Sequence, residues 1–166
     1  MKCDGFNELR FKNGGNEEVT ETVRSVFEEY RCSLFDFVRD LQGAPFQEQC
    51  FEVFRFVAEN ILYREDSGFD QMIKTPARLL NDAVGDCKSM SVFIASAMWC
   101  LGADSVMLRF VGFTDEPAYT HVYCLASKNG ETYILDPVER SKDGKCVFNW
   151  ARPFKIHKDY SYTRNG

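Results

Sequence analysis

The spacing of apolar residues changes along the chain and divides it into a helical first half and a strand-rich second half. Between residues 17 and 62 apolar side chains recur every three or four positions, which is the period of amphipathic helices. The pattern predicts a helix from Glu17, a continuation over residues 33–41, and a further helix over residues 46–62. The pattern does not decide whether the first two of these segments form one long helix or two helices with a break near Cys32.

A short helix and a strongly apolar helix are predicted next. Thr75-Pro76 starts the short one, because proline is favoured in the first turn of a helix. After Gly85-Asp86, residues 87–101 are apolar nearly all round, up to Gly102. A helix without a polar face belongs in the centre of a domain.

The second half of the chain predicts strands. Lys128-Asn129-Gly130 is a hairpin turn signal between two of them. Residues 63–74 are interpreted as a connecting loop, and the chain from Arg140 onward as a polar tail with a candidate fourth strand at residues 147–150. The predicted strands cover residues 105–112, 119–127 and 132–135, with residues 9–12 as either a short strand or a tail.

Helices followed by a sheet indicate the α+β class of fold. The N-terminal helices and a central buried helix are expected to pack on an antiparallel sheet. Neither a repeat nor a linker divides the chain, so residues 1–166 are predicted to form a single domain whose helical N-terminal part spans residues 17–62.

Charge and composition argue against several classes of protein. The net charge of −5 argues against nucleic-acid binding, which needs a basic face. No run of about 18 apolar residues exists, so no membrane-spanning helix is expected. Seven cysteines without a CxxC pair indicate free thiols in a reducing compartment, and we expect a cytoplasmic protein. With two histidines and no metal-ligand spacing, neither a metal nor a cofactor is expected.

One cysteine stands where its thiol would be activated. If Asp86 is the N-cap of the buried helix, Cys87 lies in the first turn of that helix. The positive end of the helix dipole stabilises a thiolate there, and unpaired backbone N–H groups could bind an oxyanion. Cys87 is therefore a candidate nucleophile.

A histidine and an acid follow on the predicted hairpin. His121 lies early in one strand and Asp136 at the end of the next, eight residues before and seven after Asn129. A cross-strand hydrogen bond between them would fix the tautomer of the imidazole, as a base that activates a thiol requires. Alternation along the strand puts His121 and Tyr123 on one face and Cys124 on the other.

Each of these residues also has a purely structural interpretation. A cysteine at a helix start is more often a small buried side chain, and a single strand histidine is more often exposed or satisfied. Asp136 before Pro137 is a common turn former. His157, in the polar tail, is the alternative base. The catalytic interpretation is favoured because all three residues occur together, in this order and on these elements.

Five short stretches carry a family resemblance. In order, they are Lys74-Thr75-Pro76, Gly85-Asp86-Cys87-Lys88, Leu101-Gly102-Ala103, Thr120-His121-Val122-Tyr123 and Leu135-Asp136-Pro137-Val138. With them, residues 73–138 resemble the transglutaminase-like superfamily of papain-like cysteine enzymes, in its microbial branch. The resemblance implies a papain-like fold with Cys87 as nucleophile, His121 as base and Asp136 as the acid that orients the base.

The sequence also departs from that family. Lys88 follows the nucleophile where the animal cross-linking enzymes have Trp, and no calcium-binding domain is evident, which argues against calcium-activated cross-linking. Ser89 stands where many microbial members have an acid. The family often completes its oxyanion hole with an upstream side chain, for which Gln71 and Asn81 are the candidates.

The resemblance implies acyl transfer at an amide bond of a peptide or protein, through a thioester on Cys87. Water as the acceptor makes the enzyme a protease, peptidase or amidase, and an amine makes it a cross-linking enzyme. We expect hydrolysis, because a small single domain offers no evident site for a second protein. The alternative is a catalytically silent module for binding or assembly. A third hypothesis, a metal site formed by Cys87, His121 and Asp136, is disfavoured because it would have only three ligands.

Overall fold

The computed structural model of the 166-residue chain describes residues 8–12, 16–66, 70–112 and 120–164. Its helices are α1 (Asn16–Tyr30), α2 (Phe46–Asn60), α3 (Pro76–Asp82) and α4 (Cys87–Cys100), with a 3-10 turn at Arg39–Leu41. Its strands are β1 (Glu8–Lys12), β2 (Leu62–Tyr63), β3 (Asp70–Lys74), β4 (Val84–Gly85), β5 (Ser105–Gly112), β6 (His121–Lys128), β7 (Glu131–Leu135) and β8 (Lys155–Thr163). Within these residues β7, β6, β5 and β8 form an antiparallel sheet in that order, and β1-β3 and β2-β4 form small separate pairs.

Helix α4 is the central element, and the local sequence explains both of its ends. The carboxylate of Asp86 caps it by accepting hydrogen bonds from the N–H groups of Lys88 (3.0 Å) and Ser89 (3.3 Å). At the other end Gly102 has a φ of +84°, the left-handed backbone that follows many helices. Nearly all of α4 is buried, so the prediction of a central buried helix is confirmed. Neither α4 nor another described helix is long and apolar enough to cross a membrane.

Strands β6 and β7 form the predicted hairpin. Lys128 pairs with Glu131 across Asn129 and Gly130. The φ angles of these two residues, +51° and +82°, are those of a tight two-residue hairpin loop. Helix α4 packs on β6, and Cys124 of that strand is fully buried in the core that they share. The predicted α+β arrangement of helices on an antiparallel sheet is therefore confirmed.

The N-terminal helices complete the core on the side of α4. The ring of Phe27 in α1 meets that of Trp99 in α4 edge to face, with their centroids 6.3 Å apart. The ring of Phe56 in α2 stacks on Phe93 of α4 at 6.1 Å. Because α1, α2, α4 and β6 bury their apolar side chains in one shared cluster, the helix that carries Cys87 is held from several directions.

The structure differs from the prediction between the first two long helices. Residues 33–41 form consecutive turns and one 3-10 turn at Arg39–Leu41, so the predicted continuation of the helix is wrong. Leu34 and Val38 are nevertheless buried, because successive turns bring every third or fourth residue to the same side. Spacing alone therefore does not distinguish this segment from a helix.

Three further segments differ from the sequence-based prediction. Strand β3 lies in the predicted loop and pairs with β1, so residues 9–12 form the strand that the pattern left open. Residues 147–150 form a turn instead of the candidate strand. Strand β8 occupies the predicted polar tail at the edge of the sheet. Within β8, side chains such as Tyr160 and Tyr162 pack on the core. The polar residues between and around them mask the alternation of apolar and polar positions by which a strand is predicted.

Candidate active site

Cys87 is the first residue of α4 and directly follows the Asp86 cap, as predicted. The thiol therefore lies at the partially positive end of the helix dipole. Only 8% of the Cys87 surface is exposed, so the residue is buried.

His121 begins β6, and Asp136 directly follows β7. Nε2 of His121 and Oδ2 of Asp136 are 2.7 Å apart, so the predicted cross-strand hydrogen bond is present. Oδ1 of Asp136 accepts from the N–H groups of Val138 (3.2 Å) and Glu139 (3.5 Å). Because both oxygens are engaged and the residue is fully buried, Asp136 can hold His121 in one orientation and one tautomer.

Cys87 is the second acidic neighbour that acts on the imidazole of His121, beside Asp136. Nε2 is engaged by Asp136, so Nδ1 is the ring nitrogen that remains to act as a base. Burial by itself would lower the pKa of His121, but the hydrogen bond to Asp136 and the negative charges of Asp136 and Cys87 raise it to about 10. The imidazole is therefore held in its protonated form at neutral pH.

A serine joins the helix of the nucleophile to the strand of the histidine. Oγ of Ser91 donates to the carbonyl oxygen of Val122 at 3.0 Å, and both residues are buried. Ser91 lies one helical turn after Cys87, and Val122 directly follows His121. The bond therefore fixes the position of α4 along β6. Sequence reasoning missed it, although a serine inside an otherwise apolar helix indicates a buried partner.

A buried ion cluster lies beside the nucleophile. Nζ of Lys88 binds the carboxylate of Asp86 and lies 3.4 Å from Oδ2 of Asp66. Burial raises the pKa of the Asp86 carboxyl, and Lys88 opposes this effect. Burial would lower the pKa of Lys88, but the charges of Asp86 and Cys87 raise it. The cluster links the first turn of α4 to the segment before β3. The sequence pattern predicted a connecting loop for that segment.

Two aromatic rings border the imidazole. The ring centroids of His121 and Phe154 are 5.4 Å apart, and those of His121 and Tyr123 are 5.9 Å apart. The predicted shared face of His121 and Tyr123 is therefore confirmed. Phe154 was not singled out, because it lies in the segment that was interpreted as a polar tail. These rings shield the imidazole from water and strengthen its electrostatic contacts.

A further aromatic residue, Tyr63, belongs to the surroundings of Cys87. Tyr63 of β2 pairs with Gly85 of β4, two residues before Cys87. Burial and the negative charges of Cys87 and Glu65 raise the pKa of the Tyr63 phenol, and its hydroxyl is 3.3 Å from Oε1 of Glu65. Tyr63 escaped notice because it lies in the predicted loop.

The two candidate oxyanion side chains lie on different elements. Gln71 is on β3 opposite Phe11, and its side chain is outside the described part of the chain, so its role stays a prediction. Asn81 is exposed on α3, and its Nδ2 donates to Oδ1 of Asp82 at 3.1 Å. This contact gives Asn81 a partner on the surface of α3, and no described contact joins its amide to Cys87.

The other candidates for chemistry lie apart from Cys87 and Asp136. His157 is on β8, which β5 separates from β6. Burial raises the pKa of Cys50 to about 12 and that of Cys100 to about 11. Burial also raises the pKa of Cys124, which is fully enclosed. Among the described residues, no group of three or more His, Cys, Asp or Glu side chains is arranged to hold a metal ion.

Comparison with solved structures places the fold. The structural match with LapG of Legionella pneumophila covers 94% of this chain and 91% of the LapG chain, with 16% sequence identity and a TM-score of 0.54. Calcium-bound LapG matches 88% of this chain over 84% of its own, at 18% identity and a TM-score of 0.53. The likeness confirms the predicted papain-like fold, and at this identity it extends to the fold alone. No family model and no curated protein sequence matches the chain.

Proposed function

We propose that this chain is a cysteine hydrolase that cleaves amide bonds of peptides or proteins through a thioester on Cys87. The observation that supports this most directly is the 2.7 Å hydrogen bond between His121 and Asp136, with Cys87 as the other neighbour that raises the pKa of His121. In such a group the imidazole activates the thiol and the carboxylate orients the imidazole. A fold shared with cysteine proteases supports the same reaction class.

The first half-reaction forms the thioester. The Cys87 thiolate attacks the carbonyl carbon, which makes a C–S bond and a tetrahedral oxyanion. We assign the oxyanion to the N–H of Cys87, because Asp86 already accepts those of Lys88 and Ser89. As the intermediate collapses, the C–N bond breaks and the imidazolium of His121 gives its proton to the leaving amine.

The second half-reaction releases the acyl group to water. Neutral His121 takes a proton from water while the water oxygen attacks the thioester carbon. The C–S bond then breaks, the carboxylic acid leaves, and the thiolate–imidazolium pair is restored. Asp136 stays ionised throughout and stabilises the imidazolium. An amine in place of water would make the product a cross-link, and we favour water because it is far more abundant than any competing amine.

Peptides in H₂¹⁸O test this proposal. The protein is incubated with a digest of a bacterial proteome, and new C-termini that carry ¹⁸O are identified by mass spectrometry. We expect such termini with the wild type and with Cys32→Ser, which removes an exposed thiol. Cys87→Ser should abolish them. New amide bonds between peptides would favour cross-linking, and an absence of any product with the wild type would favour the silent module.

A cytoplasmic location is part of the proposal. The described cysteines are free thiols, as is usual where glutathione keeps thiols reduced. A thiolate nucleophile also needs such an environment to escape oxidation. Fractionation of cells that produce the tagged protein tests this location directly.

A further inference from the structure

A basic segment follows the acid of the site in a chain that is acidic overall. Residues 140–158 contain six lysines and arginines and one acid, whereas the whole chain carries a net charge of −5. The segment borders a cleft of about 770 Å³, whose lining includes Arg140, Lys142 and Arg152. Cationic groups are therefore concentrated at one place, which we call the basic cleft.

The wall of the basic cleft is held firmly to the sheet. Arg140 forms a β-bridge with Cys146, whose Sγ donates to the carbonyl oxygen of Pro137 at 3.1 Å. Oδ1 of Asn149 accepts from the N–H of Ile134 at 2.9 Å, which ties the segment to β7. Since β7 leads directly into Asp136, the cleft has a fixed position relative to the acid.

Another part of the lining leads to the imidazole. Pro153 lines the basic cleft, and the next residue, Phe154, packs on the ring of His121. The guanidinium of Arg152 is 5.7 Å from the centre of the Phe154 ring, and its Nη1 is 3.6 Å from Oε2 of Glu139. Phe154 therefore contacts both Arg152 of the basic cleft and the imidazole of His121.

The lining combines cations with apolar surface. Trp150 and Val147 supply the apolar part, and Asp143 is the acid of the lining. The hydroxyl of Ser141 donates to that carboxylate, so Asp143 is already engaged within its own turn. The remaining surface suits a negatively charged group beside an apolar one.

We propose that the basic cleft binds an acidic segment of the peptide substrate beside the scissile amide. An Asp or Glu side chain of the substrate pairs with Arg140 and shares the guanidinium of Arg152 with Glu139, because guanidinium groups match the geometry of carboxylates. Trp150 and Val147 then cover an apolar neighbour of that acid. The local basic field also draws acidic peptides to a protein whose net charge would otherwise repel them. This inference rests on the proposed function, since the peptide must reach Cys87.

Peptides that carry an iodoacetamide group provide the test. Acetyl-capped tetra-alanine peptides end in the reactive group, and a single Glu or a single Gln is moved through the four positions. The rate of labelling at Cys87 is measured by peptide mass spectrometry at low and at high salt. Iodoacetamide without a peptide is measured in parallel, because it reports the reactivity of the thiol alone.

We expect Glu to accelerate labelling about fivefold over Gln in at least one position at low salt, and less at high salt, because exposed ion pairs are weak and screened. Arg140→Gln and Arg152→Gln should each reduce this preference, and the double variant should remove it. Lys128→Gln, at the hairpin end of β6, is the matched control and should preserve it.

Two failures can be told apart. If iodoacetamide labels Cys87 no faster than the exposed Cys32, the proposed function is wrong, and the basic cleft loses its role in binding a substrate. If iodoacetamide labels Cys87 rapidly but Glu and Gln peptides react equally at every position, the basic cleft does not select acidic peptides. A preference that survives in the double arginine variant leads to the same conclusion.

Discussion

The hydroxyl of Ser91 donates to the carbonyl oxygen of Val122 and thereby fixes α4 along β6, one turn after the nucleophile and one residue after the base. Neither Cys87 nor His121 takes part in this bond. Both partners are buried, so removal of the hydroxyl leaves a buried carbonyl without this donor. The distance between thiol and imidazole therefore depends on a contact outside the reacting groups.

Ser91→Ala should lower the free energy of unfolding by about 1–2 kcal/mol, since a buried hydrogen-bond partner is left unsatisfied. It should also slow the labelling of Cys87 by iodoacetamide several-fold. Urea unfolding and peptide mass spectrometry measure the two effects. Ser96→Ala is the matched control, because Ser96 is fully buried on the same helix and its Oγ has no hydrogen-bond partner among the described residues. Equal labelling rates in the two variants would contradict the role of Ser91.

Asp136→Asn should reduce hydrolysis by about a hundredfold or more while preserving the fold. The neutral amide no longer stabilises the imidazolium, and it can hold the ring in the wrong tautomer. The pKa of His121 should fall, which is read from the pH dependence of Cys87 alkylation. The control is Asp159→Asn, which removes an acid that pairs with Arg109 at 2.9 Å on the sheet surface. An unchanged pH profile in Asp136→Asn would show that Asp136 does not act through His121.

The raised pKa of His121 predicts a definite pH dependence of stability. The pKa is about 10 in the folded protein and about 6.5 in an unfolded chain. The stabilisation is therefore fully present below pH 6.5 and is lost as the pH rises towards 10. Urea unfolding between pH 6 and pH 10 should show a decline that is smaller in His121→Gln. Parallel declines in the wild type and the variant would mean that the imidazolium is not stabilised by its neighbours.

Lys88→Met should destabilise the protein by about 3 kcal/mol or more at neutral pH, because it leaves the buried carboxylate of Asp86 without its ammonium partner. Burial raises the pKa of Asp86, and the variant loses the opposing effect of Lys88. Since the folded-state pKa of Asp86 then lies still further above the unfolded value, the deficit should shrink as the pH falls. Lys128→Met is the control for the loss of a lysine elsewhere. A deficit that does not depend on pH would argue against a charged Asp86.

The elements that carry Cys87 and His121 were predictable, because each has a local signal. Asp86 and Gly102 mark the two ends of α4, and the apolar run between them indicates its burial. Asn129-Gly130 sets the register of the hairpin, and this register brings His121 to Asp136. Local capping and turn chemistry were therefore enough to bring base and acid together.

The surroundings of the site were not predictable, because they depend on contacts between distant segments. Asp66 meets Lys88 and Phe154 covers His121 only after the chain has folded, and both lie in segments that were interpreted as loop or tail. The turns over residues 33–41 imitate helical spacing, and the polar edge strand β8 conceals its alternation. A pattern within one segment carries no information on such partners.

The rate of iodoacetamide alkylation at each cysteine between pH 4 and pH 9, in the wild type and in His121→Ala, tests the central claim most directly. The account predicts that Cys87 reacts fastest well below the ordinary thiol pKa of about 8.5, and that it loses this advantage in the variant. Cys50 and Cys100 should stay slow, because burial raises their pKa values. If Cys87 reacts no faster than the exposed Cys32, or is unaffected by the loss of His121, the thiolate–imidazolium pair does not exist.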